Sequence, residues 1–195
     1  MNNILTKIFG EGRTKYILAP IASLIIITVL VLAVKELKKP SLAEASSVTI
    51  SMGELHEYLE KSEINPKARI AADPEYSLVS EKWIRDAATF NFTKFLDKLD
   101  MLEYNSNVND CDDFARAFTL FSKFYFRKSL KNKNMNSCAV GEFYYLRTNG
   151  SYHAINFMIV LDENRNRKIL FYEPQTGNFV NLTKDEIGSC VFYGL

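Results

Sequence analysis

Asn109-Asp110-Cys111-Asp112-Asp113-Phe114-Ala115 opens a segment that runs to about Arg127, along which Phe114, Ala115, Phe118, Phe121, Phe124 and Tyr125 recur at three- and four-residue spacing. That period gathers the apolar side chains on one face and predicts a core helix. Cys111 falls in or just before its first turn. Free backbone N–H groups and the positive end of the helix dipole favour an anion there, which lowers a thiol pKa. A thiolate used as a nucleophile also needs an imidazole and a group that fixes the ring. The C-terminal half supplies both, His153 in Tyr152-His153-Ala154-Ile155-Asn156-Phe157 and Glu173 in Phe171-Tyr172-Glu173-Pro174-Gln175. A cysteine on an aromatic helix, or a histidine in an apolar strand, is on its own more often a packing residue. The three in this order point to a Cys-His-Glu hydrolase.

Beyond Lys133 the pattern changes. Ala139 to Thr148, Tyr152 to Leu161, Lys168 to Tyr172 and Asn178 to Leu182 are rich in aromatic and β-branched residues and read as strands. Asn149-Gly150 predicts a hairpin turn between the first two, and Asp162 to Arg167 a longer one between the next two. His153 and Glu173 would then lie on neighbouring strands, where a carboxylate reaches an imidazole across the ladder. Thr183 to Glu186 starts a helical turn and Ser189 to Tyr193 closes with a strand. On the other side of the Cys111 helix, Ser80 caps a predicted helix with Trp83, Ile84, Ala87, Ala88, Phe95, Leu96 and Leu99 inward. Asn65-Pro66 and Asp73-Pro74 punctuate an irregular stretch before it. Ser51-Met52-Gly53-Glu54 has capping-box spacing and predicts a short helix to about Lys61. His56, flanked by Glu54 and Glu57 on that helix, reads as a solvated histidine. Helices followed by an antiparallel sheet is an α+β order.

Residues 1–15 form a short polar tail. Tyr16 to Val34 then gives 19 residues without a charge, dense in Ile, Leu and Val. At about 1.5 Å per residue this approaches the hydrocarbon thickness of a bilayer, so residues 16–35 predict one transmembrane helix that partners the lipid. Ala43-Glu44-Ala45 resembles a signal-peptidase site, but the apolar run is long for a leader and Lys35-Glu36-Leu37-Lys38-Lys39 intervenes. The reading is a single-pass, uncleaved signal-anchor with the globular domain on the non-cytoplasmic side. Residues 36–50 form a linker, and residues 51–195 one globular domain.

The net charge of +1 hides an asymmetry. The first 40 residues carry six basic and two acidic side chains, and the remainder 18 and 21. The globular part therefore lacks the basic face of a nucleic-acid binder. Cys111, Cys138 and Cys190 form no CxxC pair. A Cys138–Cys190 bridge is one reading, and two buried thiols in strands the more ordinary one.

Four segments, Asn109 to Ala115, Ala139-Val140-Gly141-Glu142, His153-Ala154-Ile155-Asn156 and Glu173-Pro174-Gln175-Thr176-Gly177, resemble the protease-like C-terminal domain of certain fungal agglutinins and related bacterial and phage proteins. The resemblance spans residues 76–195. It implies a papain-like thiol protease acting on a peptide or protein substrate, with Cys111 as nucleophile, His153 as base and Glu173 orienting the ring. In the fungal members proteolysis depends on calcium. The sugar-binding β-trefoil of those proteins has no counterpart here, so lectin activity does not follow.

Asp110, Asp112 and Asp113 crowd the cysteine. Their charge raises a thiol pKa and opposes the helix dipole unless a cation neutralises it. Nothing in the sequence requires a cofactor, but three clustered carboxylates are candidate oxygen ligands for calcium, at a spacing that is not an EF-hand loop. An oxyanion hole would take the Cys111 N–H and a side-chain donor, for which Asn105, Asn107 and Gln175 are the candidates. The rival reading is a non-catalytic module of the same fold that binds a protein or glycan at the membrane.

Overall fold

The computed structural model describes residues 48–103, 110–130 and 136–195, all within the unit formed by residues 38–195. Strand β1 (Thr49–Ser51) leads into helix α1 (Met52–Lys61). The predicted capping box forms: Ser51 Oγ accepts from the Glu54 N–H, and the Glu54 carboxylate accepts from the Ser51 N–H at 3.0 Å. Three short strands follow, β2 (Ala68–Ile70), β3 (Glu75–Ser77) and β4 (Val79–Ser80). Ser80 caps a helical run that begins as α2 (Glu81–Trp83), passes through a π-helical turn at Ile84–Ala88 and continues as α3 (Thr89–Lys98). The long helix is α4 (Cys111–Ser129). Strands β5 (Val140–Leu146), β6 (Tyr152–Leu161), β7 (Arg167–Glu173) and β8 (Asn178–Val180) follow. The turn α5 (Lys184–Gly188), capped by Thr183, and strand β9 (Phe192–Gly194) close the chain.

The main sheet runs β2-β9-β5-β6-β7-β8, with β4 added alongside β6. Strand β6 is its spine, antiparallel to both β5 and β7. Alternation along β6 gives it two faces. Ile155, Phe157 and Ile159 join Leu55 and Leu59 of α1 and Phe143, Tyr145 and Phe171 of the neighbouring strands in one core. The other face receives α4. There Phe118 packs against Phe92 of α3 and Tyr172 of β7. Asn156, fully buried, donates through Nδ2 to Ala115 O (2.7 Å), Thr119 Oγ1 (2.9 Å) and Gly141 O (3.1 Å), tying helix to sheet. At Gly141 a Cβ would lie 2.1 Å from Gly194 O, so β5 and β9 meet there only because the side chain is missing.

Three expectations are corrected. Helices do not precede the sheet: β1 to β4 are woven between them, because short extended pieces of the stretch read as irregular find partners in β9, β1 and β6. Nor is the sheet antiparallel throughout, since β2 pairs in parallel with β9 and β4 in parallel with β6. The papain-like α+β layout is thus replaced by a mixed, sheet-rich α/β arrangement. Third, no helix among the described residues is long and apolar enough to cross a membrane. The 19-residue α4 has an apolar face only, and carries Asp112, Asp113, Arg116, Lys123, Arg127 and Lys128 elsewhere. The single-pass membrane localisation, with the domain on the non-cytoplasmic side, is corrected accordingly. The segment 16–35 on which it rested lies outside the described residues.

His56 is not simply solvated either, since its Nδ1 hydrogen-bonds the Tyr193 hydroxyl. Cys138 and Cys190 are free and buried, and burial pushes each thiol up to about 12.

Candidate functional site

His153 and Glu173 are joined. Asn156 pairs with Tyr172 in the β6–β7 ladder, so one step further the register sets Ile155 opposite Glu173. His153 stands two residues beyond on the same face, the diagonal position from which long side chains meet. His153 Nε2 hydrogen-bonds Glu173 Oε2, with only 5% and 9% of the two side chains exposed. A carboxylate can only accept, so the proton on that side of the ring sits on Nε2. Among the described residues Nδ1 has no hydrogen-bond partner, and it is the nitrogen that would take and give a proton. The Tyr145 ring of β5 packs against the imidazole in a T-shaped arrangement, centroids 5.9 Å apart.

Cys111 is the first residue of α4, with the preceding Asp110 in extended conformation. Its thiol, half-buried, faces the backbone N–H of Ala154, the residue after His153. The β6–β7 ladder stops at Asn156–Tyr172, so the start of β6 has an open edge, and the sulfur approaches the strand there. Cysteine and histidine are thus brought to one end of one strand. Alternation along β6 sends the His153 ring to the face opposite α4, and among the described residues no hydrogen bond links the sulfur to the imidazole. Burial pushes the Cys111 thiol up, the Ala154 N–H pulls it back, and the charges of Asp110 and Asp112 push it up again. The lowering expected of a helix N-terminus is therefore outweighed here.

The three acids beside the thiol do cluster. Asp110, Asp112 and Asp113 each offer a carboxylate oxygen, all within 4.8 Å of one another. A hydrogen bond from Asp112 holds the Asp110 carboxyl below its usual range, and the same contact, with burial and its acidic neighbours, pushes Asp112 above it. Among the described residues Arg116 offsets the charge, at 3.4 Å from Asp112 and 4.0 Å from Asp113. Asp110 Oδ1 is buried and has no hydrogen-bond partner. An all-oxygen donor set with an orphaned buried oxygen fits a hard divalent cation.

Of the oxyanion candidates, Asn105 and Asn107 lie outside the described residues. Gln175 is described and stands next to the pair. Its backbone N–H donates to Glu173 Oε1 at 3.4 Å, while its side-chain Nε2 is buried without a partner. Sequence reasoning missed Arg147, whose Nη2 lies 3.5 Å from Glu173 Oε2. It also missed the Ala154 N–H, for which no side-chain signal exists. Asn156 was legible in principle as one amide inside an apolar run.

No protein-family model and no curated protein matches this chain. Solved structures do. A PSL1a–E64 complex is 18% identical with a TM-score of 0.56, covering 75% of this chain and 50% of that one. A lectin of Polyporus squamosus bound to the human-type influenza-binding epitope Neu5Aca2-6Galb1-4GlcNAc has the same identity and TM-score, covering 75% and 49%. At that identity the likeness concerns the fold alone, and the chain spans about half the length of these lectins. The papain-like thiol-protease fold class expected from the sequence is corrected by them as well, since these solved neighbours are lectin structures.

Proposed function

We propose that this chain is a cysteine hydrolase, most simply a peptidase, built on Cys111, His153 and Glu173. The observation that carries the reading is the buried His153–Glu173 hydrogen bond, with the Cys111 thiol at the N–H of the next residue along the same strand. Two residues recruited from separate strands into a nearly dry hydrogen-bonded pair fix one tautomer of the neutral ring, which packing alone does not require. The resemblance of the four motif segments to the agglutinin protease domain supports the same assignment. In the reaction the imidazole first turns to meet the sulfur at the open start of β6. Cys111 Sγ then attacks a substrate carbonyl carbon, and the proton it loses passes through His153 Nδ1 to the leaving amine as the C–N bond breaks. Water, deprotonated by the same nitrogen, then cleaves the thioester and returns the thiol. The Cys111 N–H and Gln175 Nε2 are the donors available to the oxyanion.

The raised thiol must be brought down for this to proceed near neutral pH. Asp110, Asp112 and Asp113 would hold a calcium ion. Bound there, it supplies positive charge that favours the thiolate.

The test is covalent labelling of the full chain by E64, an epoxide that alkylates activated thiols, read by mass spectrometry with and without calcium. The expected result is one adduct on Cys111, absent from Cys111→Ala and from His153→Ala. Labelling no faster than that of an ordinary thiol, in either condition, would sink the hydrolase reading.

A second reading has its own support. The thiol is raised and unbonded to the ring, and one fold neighbour was solved with a sialylated glycan. On this reading the chain is a non-catalytic module that binds a glycan or a protein. Binding on a glycan array that survives Cys111→Ala, together with an inert thiol, would favour it.

A further inference from the structure

We propose that Arg147 is a positioning residue of the Cys111–His153–Glu173 site, sharing Glu173 Oε2 with the imidazole and thereby setting how readily His153 releases its proton. The inference rests on the hydrolase reading for its role in turnover, but not for its geometry.

Arg147 follows the last residue of β5. Its backbone is fixed by the hairpin, with its N–H donating to Ser151 O at 2.9 Å and its carbonyl accepting from the Gly150 N–H at 2.9 Å. From that anchor Nη2 reaches to 3.5 Å of Glu173 Oε2, the same oxygen that accepts from His153 Nε2. The Arg147 side chain is 39% exposed and that of Glu173 only 9%. One buried carboxylate oxygen therefore serves two donors, one permanently charged and one titratable.

The consequence is electrostatic. A buried carboxylate facing an imidazole alone would hold the imidazolium strongly and make a poor base. A fixed positive charge on the same oxygen offsets that pull, while the shared oxygen keeps the ring oriented. The other described groups around the ring do not supply this charge. Tyr145 from β5 is neutral, Glu186 from α5 is acidic and faces Arg147 itself, and Cys111 from α4 meets the strand at Ala154. A purely structural Arg147, pinning the hairpin to β7, would leave the titration of His153 untouched.

The experiment follows the imidazole by NMR in the full-length ¹⁵N-labelled chain, in a Cys111→Ala background so that the sulfur plays no part. The chain has two histidines, and His56→Asn assigns the signals. In Arg147→Gln the His153 midpoint should move up by about half to one pH unit, the scale of removing one partly screened charge at this range. In Arg147→Lys most of that shift should disappear. A Gln variant that titrates with its parent, or a Lys variant that moves as far as Gln, overturns the proposal. Failure of the hydrolase reading is seen separately, as an E64-inert Cys111 in the chain that keeps its sulfur, whatever His153 does.

Discussion

The two halves of the site are built to different standards. On the strand side, His153 and Glu173 are buried, hydrogen-bonded to each other, flanked by Tyr145 and reinforced by Arg147. On the helix side, Cys111 faces a backbone N–H with three acids around it, and Asp110 Oδ1 is buried without a partner. One half has its charges paired, and the other holds unspent negative charge. Buried polar groups are costly unless satisfied. The contrast therefore teaches where a ligand would act: on the helix side, where substrate oxygen and a cation would complete what the fold leaves open.

The largest effect should come from cutting the tie between the halves. Asn156→Ala removes three hydrogen bonds between β6, α4 and β5 and leaves a cavity, for a loss of about 2–3 kcal/mol. Urea unfolding measures it, and a change under about 0.5 kcal/mol would mean that helix and sheet are held mainly by their aromatic contacts. Next is Glu173→Gln, which keeps the shape of the settled half but removes its charge. Turnover, or the rate of E64 adduct formation, should fall by about 100-fold, within the range of general acid–base contributions. If the rate is unchanged, the better-built half is structural and the comparison loses its functional meaning.

Much of this contrast was legible in the sequence because it rests on local chemistry. The aromatic spacing from Phe114 to Tyr125 defines a helix, Asn149-Gly150 a hairpin, and the hairpin with its partner strand places His153 near Glu173. What was illegible depends on non-local pairing. Ala68–Ile70 and Val79–Ser80 carry no strand pattern of their own, and become strands because β9 and β6, both beyond α4 and more than 80 residues away, offer edges. The direction of the Cys111 thiol's shift was half legible. The helix dipole and the three acids pull oppositely, and burial, which a sequence does not print, decides the sum. Arg147 could not be distinguished from an ordinary charged residue at a hairpin until the register placed it beside Glu173.

The open half gives a smaller effect of opposite sign. Replacing Asp110 and Asp112 by Asn removes two charges that hold the thiol up, so E64 labelling without calcium should quicken by a factor of about 3–10. The calcium response should vanish in the same variant. A double variant that labels more slowly, with calcium dependence intact, would mean that the acids act through structure and that the cation sits elsewhere.

The smallest effect tests whether the settled half owes anything to its periphery. Glu81 at the start of α2 meets Lys168 of β7 at 3.0 Å and Arg85 at 2.8 Å, strapping the strand that carries Glu173. Burial would raise its carboxyl, but the hydrogen bonds and charges of Arg85 and Lys168 outweigh it and hold the group below 4.5. A carboxyl depressed in the folded chain contributes its stability above the unfolded value and loses it as pH falls through the folded one. The gap in urea stability between the parent and Glu81→Gln should therefore be present at pH 6 and close below about pH 4.5. Because both cations are substantially exposed, it should not exceed about 1 kcal/mol. The His153 titration should be the same in both chains. A gap that persists to pH 3 assigns the effect to packing rather than charge, and a shifted His153 would show that the strap, and not only Arg147, reaches the buried pair.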